Sequence, residues 1–262
     1  MKLSVTPKKS LGQNFLVNPR ILDKIVVAAE ISKDDVVLEV GPGTGNLTEK
    51  LAKEARKVIA IEKDRRLIDA LKLKFENSNV EIIEADVLKF RILDLGFRIS
   101  DYKIIGNIPY YITSKFLRTV FEEWPRPKLI VLTIQKEVAQ RIIAKPPKMN
   151  LLALSVQFFA EPKIINYISK ENFKPRPKVD SAIIKLTPRE KPLTDNPENF
   201  FKIAKAGFSQ KRKLLAGNLI SKLKLKKEDV LKSFADLNID EKSRAENLDL
   251  KDWINLTKAL IM

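Results

Sequence analysis

Val36-Val37-Leu38-Glu39-Val40-Gly41-Pro42-Gly43-Thr44-Gly45-Asn46 decides the fold of this chain. An apolar run of strand length ends on an acid, and three glycines then fall at every second position before a stretch that reads as a helix. Glycines let backbone come close to a ligand, and a helix start offers unsatisfied N–H groups to polar or charged atoms. That is the geometry of a nucleotide-type cofactor site at the carboxyl end of the first strand of an open α/β sheet. The dinucleotide pattern G-x-G-x-x-G does not apply, because the third glycine comes one residue early. Taken alone, the stretch also suits a plain tight turn, so its neighbours decide.

On either side of this stretch, strand and helix signals alternate as βαβ units require. Asn18-Pro19 reads as the N-cap and first residue of a helix to about residue 30. Strands are expected at 36–40, 57–61, 80–85, 102–106, 129–134, 163–168 and 182–186, and helices at 44–55, 64–76, 113–123 and 135–144. Residues 151–160 are apolar nearly throughout and fit helix or strand. After Pro188-Arg189-Glu190-Lys191-Pro192 the strand signal stops, and helices are expected at 199–208, 213–223, 227–237 and 250–260. The expected organisation is a catalytic α/β domain over 1–190, opening with a basic arm, and a small all-helical domain over 191–262.

Composition narrows the chemistry. The 262 residues, 44% hydrophobic and 31% charged, suit an ordered globular chain with a full core. No apolar run approaches membrane-spanning length, and the N-terminus lacks the apolar region of a signal peptide. Cys and His are both absent, which excludes disulfides, thiolate or imidazole catalysis, and metals held by those ligands. A net charge of +16 points to a polyanionic partner, with nucleic acid favoured over a membrane surface.

Three consecutive expected strands end at Gly41, Glu62 and Asp86. Glu62, about twenty residues past the glycine turn, suits a bidentate grip on ribose hydroxyls. Asp86 suits the exocyclic amine of an adenine. The fourth strand runs into Asn107-Ile108-Pro109-Tyr110, which follows the [N/D]-[P/I/L]-P-[Y/F] pattern found where enzymes methylate a planar amine such as adenine N6. The lone pair of that amine is delocalised into the ring, so it is a poor nucleophile. An Asn oxygen and a backbone carbonyl held by Pro can accept its two hydrogens, favour a pyramidal nitrogen and stabilise the charge that develops there. Tyr110 offers a ring for the base to stack on. No strong general base is needed, because the proton leaves an acidic ammonium after transfer.

Further along, prolines at alternate positions stiffen Phe173-Lys174-Pro175-Arg176-Pro177-Lys178. Phe173 is expected to close the second face of a flipped base, with Lys174, Arg176 and Lys178 on phosphates; the alternative is a surface loop with a core Phe. The arm before Pro19 carries Lys2, Lys8 and Lys9 with no acid. From Phe201 to Lys227 nine cations, among them Lys211, Arg212 and Lys213, meet no acid, and a phosphate-binding surface is expected.

The spacing from Glu39 to Gly45 is similar to the first motif of S-adenosylmethionine methyltransferases. Over essentially its whole length the chain resembles the ribosomal RNA adenine N6,N6-dimethyltransferases. The resemblance rests on Lys9-Ser10-Leu11-Gly12-Gln13-Asn14-Phe15-Leu16, Glu39 to Gly45, Glu62, Asp86, Asn107 to Tyr110, 135–139 and 173–181. Phe208-Ser209-Gln210-Lys211-Arg212-Lys213 looks like the basic signature of the small-subunit branch. The resemblance implies a Rossmann-like seven-stranded sheet with one antiparallel strand. It implies S-adenosylmethionine as cofactor, touched by Asn14, Leu16, Gly41, Gly43, Glu62, Asp86 and Asn107. Asn107, Pro109, Tyr110 and Phe173 would hold the adenine. The implied substrate is a pair of adjacent adenines near the 3′ end of small-subunit ribosomal RNA, in an assembling subunit. A cytoplasmic monomer is expected. The rivals are a resistance-type methylase of large-subunit RNA and a non-catalytic nucleic-acid-binding factor on the same fold. Residues 146–152 depart from the family, lacking the expected Tyr-Gly.

Overall fold

The computed structural model describes residues 6–8, 11–95 and 102–261. In chain order the regular elements are β1 (Phe15–Leu16), α1 (Pro19–Ala28), β2 (Val36–Val40), α2 (Asn46–Glu54), β3 (Lys57–Glu62), α3 (Arg65–Lys74), β4 (Val80–Glu84), β5 (Tyr102–Asn107), α4 (Thr113–Glu122), β6 (Leu129–Gln135), α5 (Lys136–Ile142), α6 (Leu151–Phe159), β7 (Ala160–Ile168), β8 (Phe173–Lys174), β9 (Ser181–Pro188), α7 (Pro197–Gly207), α8 (Leu215–Leu223), α9 (Lys227–Asp236) and α10 (Leu250–Ile261).

The chain divides into two compact units, one of residues 1–139 and 162–188 and the other of 140–161 and 189–262. The first unit is built on a seven-stranded sheet of order β4-β3-β2-β5-β6-β9-β7. β4, β3, β2, β5 and β6 run parallel, and β9 lies antiparallel to β6. The central strands are mostly apolar, Glu39 in β2 and Lys103 in β5 being exceptions, and all five residues of β2 are buried, as strands covered on both faces must be. The two connections that leave β2 and β5 diverge between these neighbours, so a topological switch point falls where Val40 and Asn107 end their strands. α1 starts as its sequence predicts: the Asn18 side chain accepts from the Arg20 N–H, and Pro19 opens the helix.

The second unit is helical around a core that includes Phe200, Leu215, Phe234 and Trp253. Its membership differs from a simple boundary near residue 190. Residues 140–161 leave the first unit, and α6 adds Ala153, Leu154 and Phe158 to this helical core. The reason lies in α6 itself, whose apolar side chains ring the helix, so it needs burial on more than one side. Phe158 stacks on Phe200 with ring centroids 4.5 Å apart. No helix among the described residues is long and apolar enough to cross a membrane.

Candidate active site

The parallel strands deliver their carboxyl ends to one rim. Val40 pairs with Ile61 on one side and Gly106 on the other, so Gly41, Glu62 and Asn107 emerge side by side. Asp86 follows one residue after Ala85, whose N–H donates to the Glu62 carbonyl. A single cavity is lined by these residues together with Leu11 to Leu16, Pro42 to Thr44 and Ile108 to Ile112. Gly43 is a glycine for two reasons: its φ is +58°, and a Cβ there would sit 2.8 Å from the Phe15 ring.

Glu62 is buried and heavily engaged. Its Oε1 accepts from the Lys63 and Asp64 N–H groups, both at 2.8 Å, and its Oε2 accepts from the Gly43 N–H at 3.2 Å. Burial pushes its carboxyl pKa up despite these donors. With about four acceptor positions on a carboxylate, one remains, on Oε2. The expected bidentate grip is therefore corrected to a single acceptor, because the turn has taken Oε1. Asp86 is more open. Burial raises its pKa, but the Lys63 ammonium at 2.9 Å and the Leu88 N–H outweigh it, and the net shift is downward.

Asn107 Nδ2 donates to the Asn14 carbonyl at 2.8 Å. A carbonyl only accepts, so this bond fixes which end of the amide is NH2 and leaves Oδ1 as the uncommitted acceptor. Pro109 follows in extended backbone, φ −56° and ψ 133°, and Tyr110 opens a short 3₁₀ turn. The Tyr110 hydroxyl lies 2.6 Å from the Ser181 Oγ, which pins the ring. Burial raises the Tyr110 pKa, so its hydroxyl stays neutral at ordinary pH.

The arm is fastened beside this rim by bonds that the sequence does not announce. Gln13 donates to Asp64 at 2.8 Å and accepts from the Lys8 N–H at 2.7 Å. Arg66 ties Asp64 at 2.6 Å to the Thr6 carbonyl at 3.0 Å. The Arg66 guanidinium holds the Asp64 carboxyl down at about 2. β1 pairs antiparallel with β8, Phe15 opposite Lys174 and Leu16 opposite Phe173. Asn14 and Leu16 line the cavity wall. Lys2, Lys9 and Ser10 lie outside the described residues.

Several residues stand elsewhere than anticipated. Phe173 is 4% exposed, belongs to the core with Leu16, Leu22 and Ile25, and is not on the cavity wall. This corrects its reading as the second face of a base clamp: pairing with β1 turns its ring inward. Lys174, Arg176 and Lys178 are exposed in the first unit, and Arg176 pairs with Glu171 at 3.0 Å. Lys211, Arg212 and Lys213 are exposed in the second unit, in the turn between α7 and α8 and not at a helix start. Glu39, by contrast, was legible only as part of the motif. It is 1% exposed on the cavity wall, its Oε2 has no hydrogen-bond partner, and burial raises its pKa to about 8.

Comparison with known proteins agrees with this geometry. The family described as ribosomal RNA adenine dimethylase matches residues 5–261. The ribosomal RNA small subunit methyltransferase A of Dehalococcoides mccartyi (strain CBDB1) is 41% identical over 252 residues, covering 95% of this chain and 87% of its own. The protein of the same name from Bacillus pumilus (strain SAFR-032) is 41% identical, covering 97% and 91%. Among solved structures, a dimethyladenosine transferase from Plasmodium falciparum is similar with TM-score 0.80 and 33% identity, covering 92% of this chain and 95% of that one. The 23S rRNA methyltransferase ErmE is similar with TM-score 0.79 and 27% identity, covering 95% and 100%.

Proposed function

We propose that this chain, which belongs to the ribosomal RNA adenine dimethylase family, dimethylates adenine N6 in small-subunit ribosomal RNA with S-adenosylmethionine. The observation that carries the reading is the Asn107 amide, oriented by Asn14, at the head of a cavity that Glu62 and Asp86 also line.

The cavity fits the cofactor. Glu62 keeps one acceptor position on Oε2 for a ribose hydroxyl, and Asp86 presents a carboxylate for an adenine amine. At Gly41 a Cβ would meet nothing nearer than the Asn107 carbonyl at 3.8 Å, so backbone reaches the wall there with open space beside it, and the unpartnered Glu39 Oε2 leaves a buried polar atom there. Asn14, Leu16, Gly41, Gly43, Glu62 and Asp86 are the residues that would hold it. Bound there, S-adenosylmethionine supplies a methyl group activated as a sulfonium.

The chain's own residues supply orientation and charge. Asn107 Oδ1 accepts one hydrogen of the substrate amine, and a backbone carbonyl of the Asn107–Tyr110 segment accepts the other. Both acceptors favour the pyramidal nitrogen and stabilise the positive charge that grows on it, a transition-state effect. Tyr110, braced by Ser181, supports the plane of the base. Pro109 stiffens the loop between them. The exposed cations Lys174, Arg176, Lys178, Lys211, Arg212 and Lys213 serve RNA phosphates. In this reading the enzyme works as a cytoplasmic monomer on the assembling small subunit, at two adjacent adenines near the RNA 3′ end.

A large-subunit target is the second reading, because structural likeness to ErmE and to the dimethyladenosine transferase is nearly equal, TM-scores 0.79 and 0.80. Sequence favours the first, since the small-subunit relatives are 41% identical against 27% for ErmE. The experiment is incubation with radiolabelled S-adenosylmethionine and, in parallel, undermethylated small subunits and undermethylated large subunits, followed by mapping of the label in each. Two adjacent dimethylated adenines support the proposal. Label confined to large-subunit RNA, or none in either subunit, overturns it.

A further inference from the structure

The 3₁₀ turn Tyr110–Ile112 sends three consecutive side chains in different directions. Tyr110 is half-buried and bound to Ser181, while Ile112 is buried. Tyr111 points out, 63% exposed, at the wall of the cavity. Its hydroxyl makes no hydrogen bond among the described residues. Its ring is nevertheless seated on one side: a Cβ on Gly12 would come within 3.2 Å of it. Gly12, with φ +63°, thus leaves room for the ring where the arm crosses it. A large aromatic held on one side and bare on the other contributes little to folding for its area.

We propose that Tyr111 is a stacking platform for the base adjacent to the adenine being methylated. The proposal rests on the reading of the cavity as an adenine N6-methylation site. If the cavity takes the cofactor and one base, the next nucleotide of the strand stays outside the rim. A nucleotide displaced from its helix exposes π faces, and proteins that handle unpaired RNA meet them with aromatic rings. Tyr111 is adjacent in sequence to the ring that receives the target, so the two tyrosines take successive bases. Stacking tolerates any base, so this contact selects an unpaired neighbour over a helical one and adds no preference for its identity. Because the arm at Gly12 already lies against the ring, little order is lost on binding.

The test is steady-state methylation of undermethylated small subunits by wild type, Tyr111→Ala and Tyr111→Phe, with S-adenosylmethionine affinity measured by calorimetry. Loss of one base stack is expected to raise KM for subunits in Tyr111→Ala by roughly five- to one-hundred-fold, with kcat nearly kept. Tyr111→Phe keeps the ring and restores KM. Cofactor affinity is expected to be unchanged in both. A wild type that does not methylate the subunits removes the functional reading, and the proposal with it. With wild type active, an unchanged KM in Tyr111→Ala overturns the platform alone. So does a fall in kcat at constant KM, which would place the ring on the target base. Cofactor affinity falling in step with rate would leave Tyr111 as packing for the arm, and would overturn the platform equally.

Discussion

Replacing Glu62 by Gln tests the cavity at its most constrained acceptor. Oε1 takes two backbone N–H groups at 2.8 Å, from Lys63 and Asp64, and Oε2 takes one, from Gly43 at 3.2 Å. A Gln keeps its single oxygen where two donors wait, which forces its NH2 toward the Gly43 N–H, donor against donor. One charge-assisted bond is lost, about 1.5–3 kcal/mol of stability, and the loop holding Gly43 loosens. The vacant position on Oε2 also becomes an N–H, so a cofactor hydroxyl loses its charged acceptor. A second loss of about 1.5–3 kcal/mol corresponds to roughly ten- to one-hundred-fold weaker S-adenosylmethionine binding. Burial raises the wild-type carboxyl pKa, so part of the first loss is offset where removing the charge relieves desolvation. The offset acts on stability and leaves the binding loss intact. Calorimetric titration gives the affinity, and urea unfolding of the apo protein gives the stability. Unchanged affinity in a variant that unfolds like wild type would refute the assignment of Glu62 to the cofactor.

Other outcomes follow from the same geometry. Asn107→Ala is expected to abolish methyl transfer while cofactor affinity changes only a few-fold, measured by radiolabel and calorimetry; equal losses would reduce Asn107 to a binding role. Neutralising Lys211, Arg212 and Lys213 together should shrink the log–log salt slope of RNA binding by about two to three units and spare cofactor affinity. An unchanged slope and unchanged methylation would leave that turn as solvated surface. Glu39 is held protonated up to about pH 8 by burial, against 4.5 when free. Between those values the unfolded chain binds fewer protons than the folded one, so this group makes stability fall as pH rises, by at most about 1.4 kcal/mol per pH unit. Glu39→Gln has no such dependence, and denaturation from pH 5 to 8 should show the variant gaining on wild type; parallel curves would contradict the burial argument.

Much of the sheet was legible because its signals are local. The largely apolar runs ending at Val40, Glu62 and Asn107 are parallel strands, and such strands announce themselves chiefly in hydrophobicity. The glycine spacing from Gly41 to Gly45 fixed a backbone that bends with positive φ at all three glycines. Asn107, Glu62 and Asp86 could be named as partners because every parallel strand delivers its carboxyl end to the same rim.

What escaped the sequence depends on pairings between distant residues. β1 and β8 are two residues each, too short for any periodicity, yet their pairing turns Phe173 into the core and sets the arm beside the cavity. Gln13, Asp64 and Arg66 are ordinary polar residues until the fold brings residues 13 and 64 within 2.8 Å. An apolar α6 announces burial but not against what, so the fold alone gave residues 140–161 to the helical unit. Sequence thus determined which groups end the strands and which chemistry they suit. Tertiary structure decided how many lone pairs Glu62 has left, which way the Asn107 amide faces and which aromatic meets solvent, because each of those is settled by a neighbour far away in the chain.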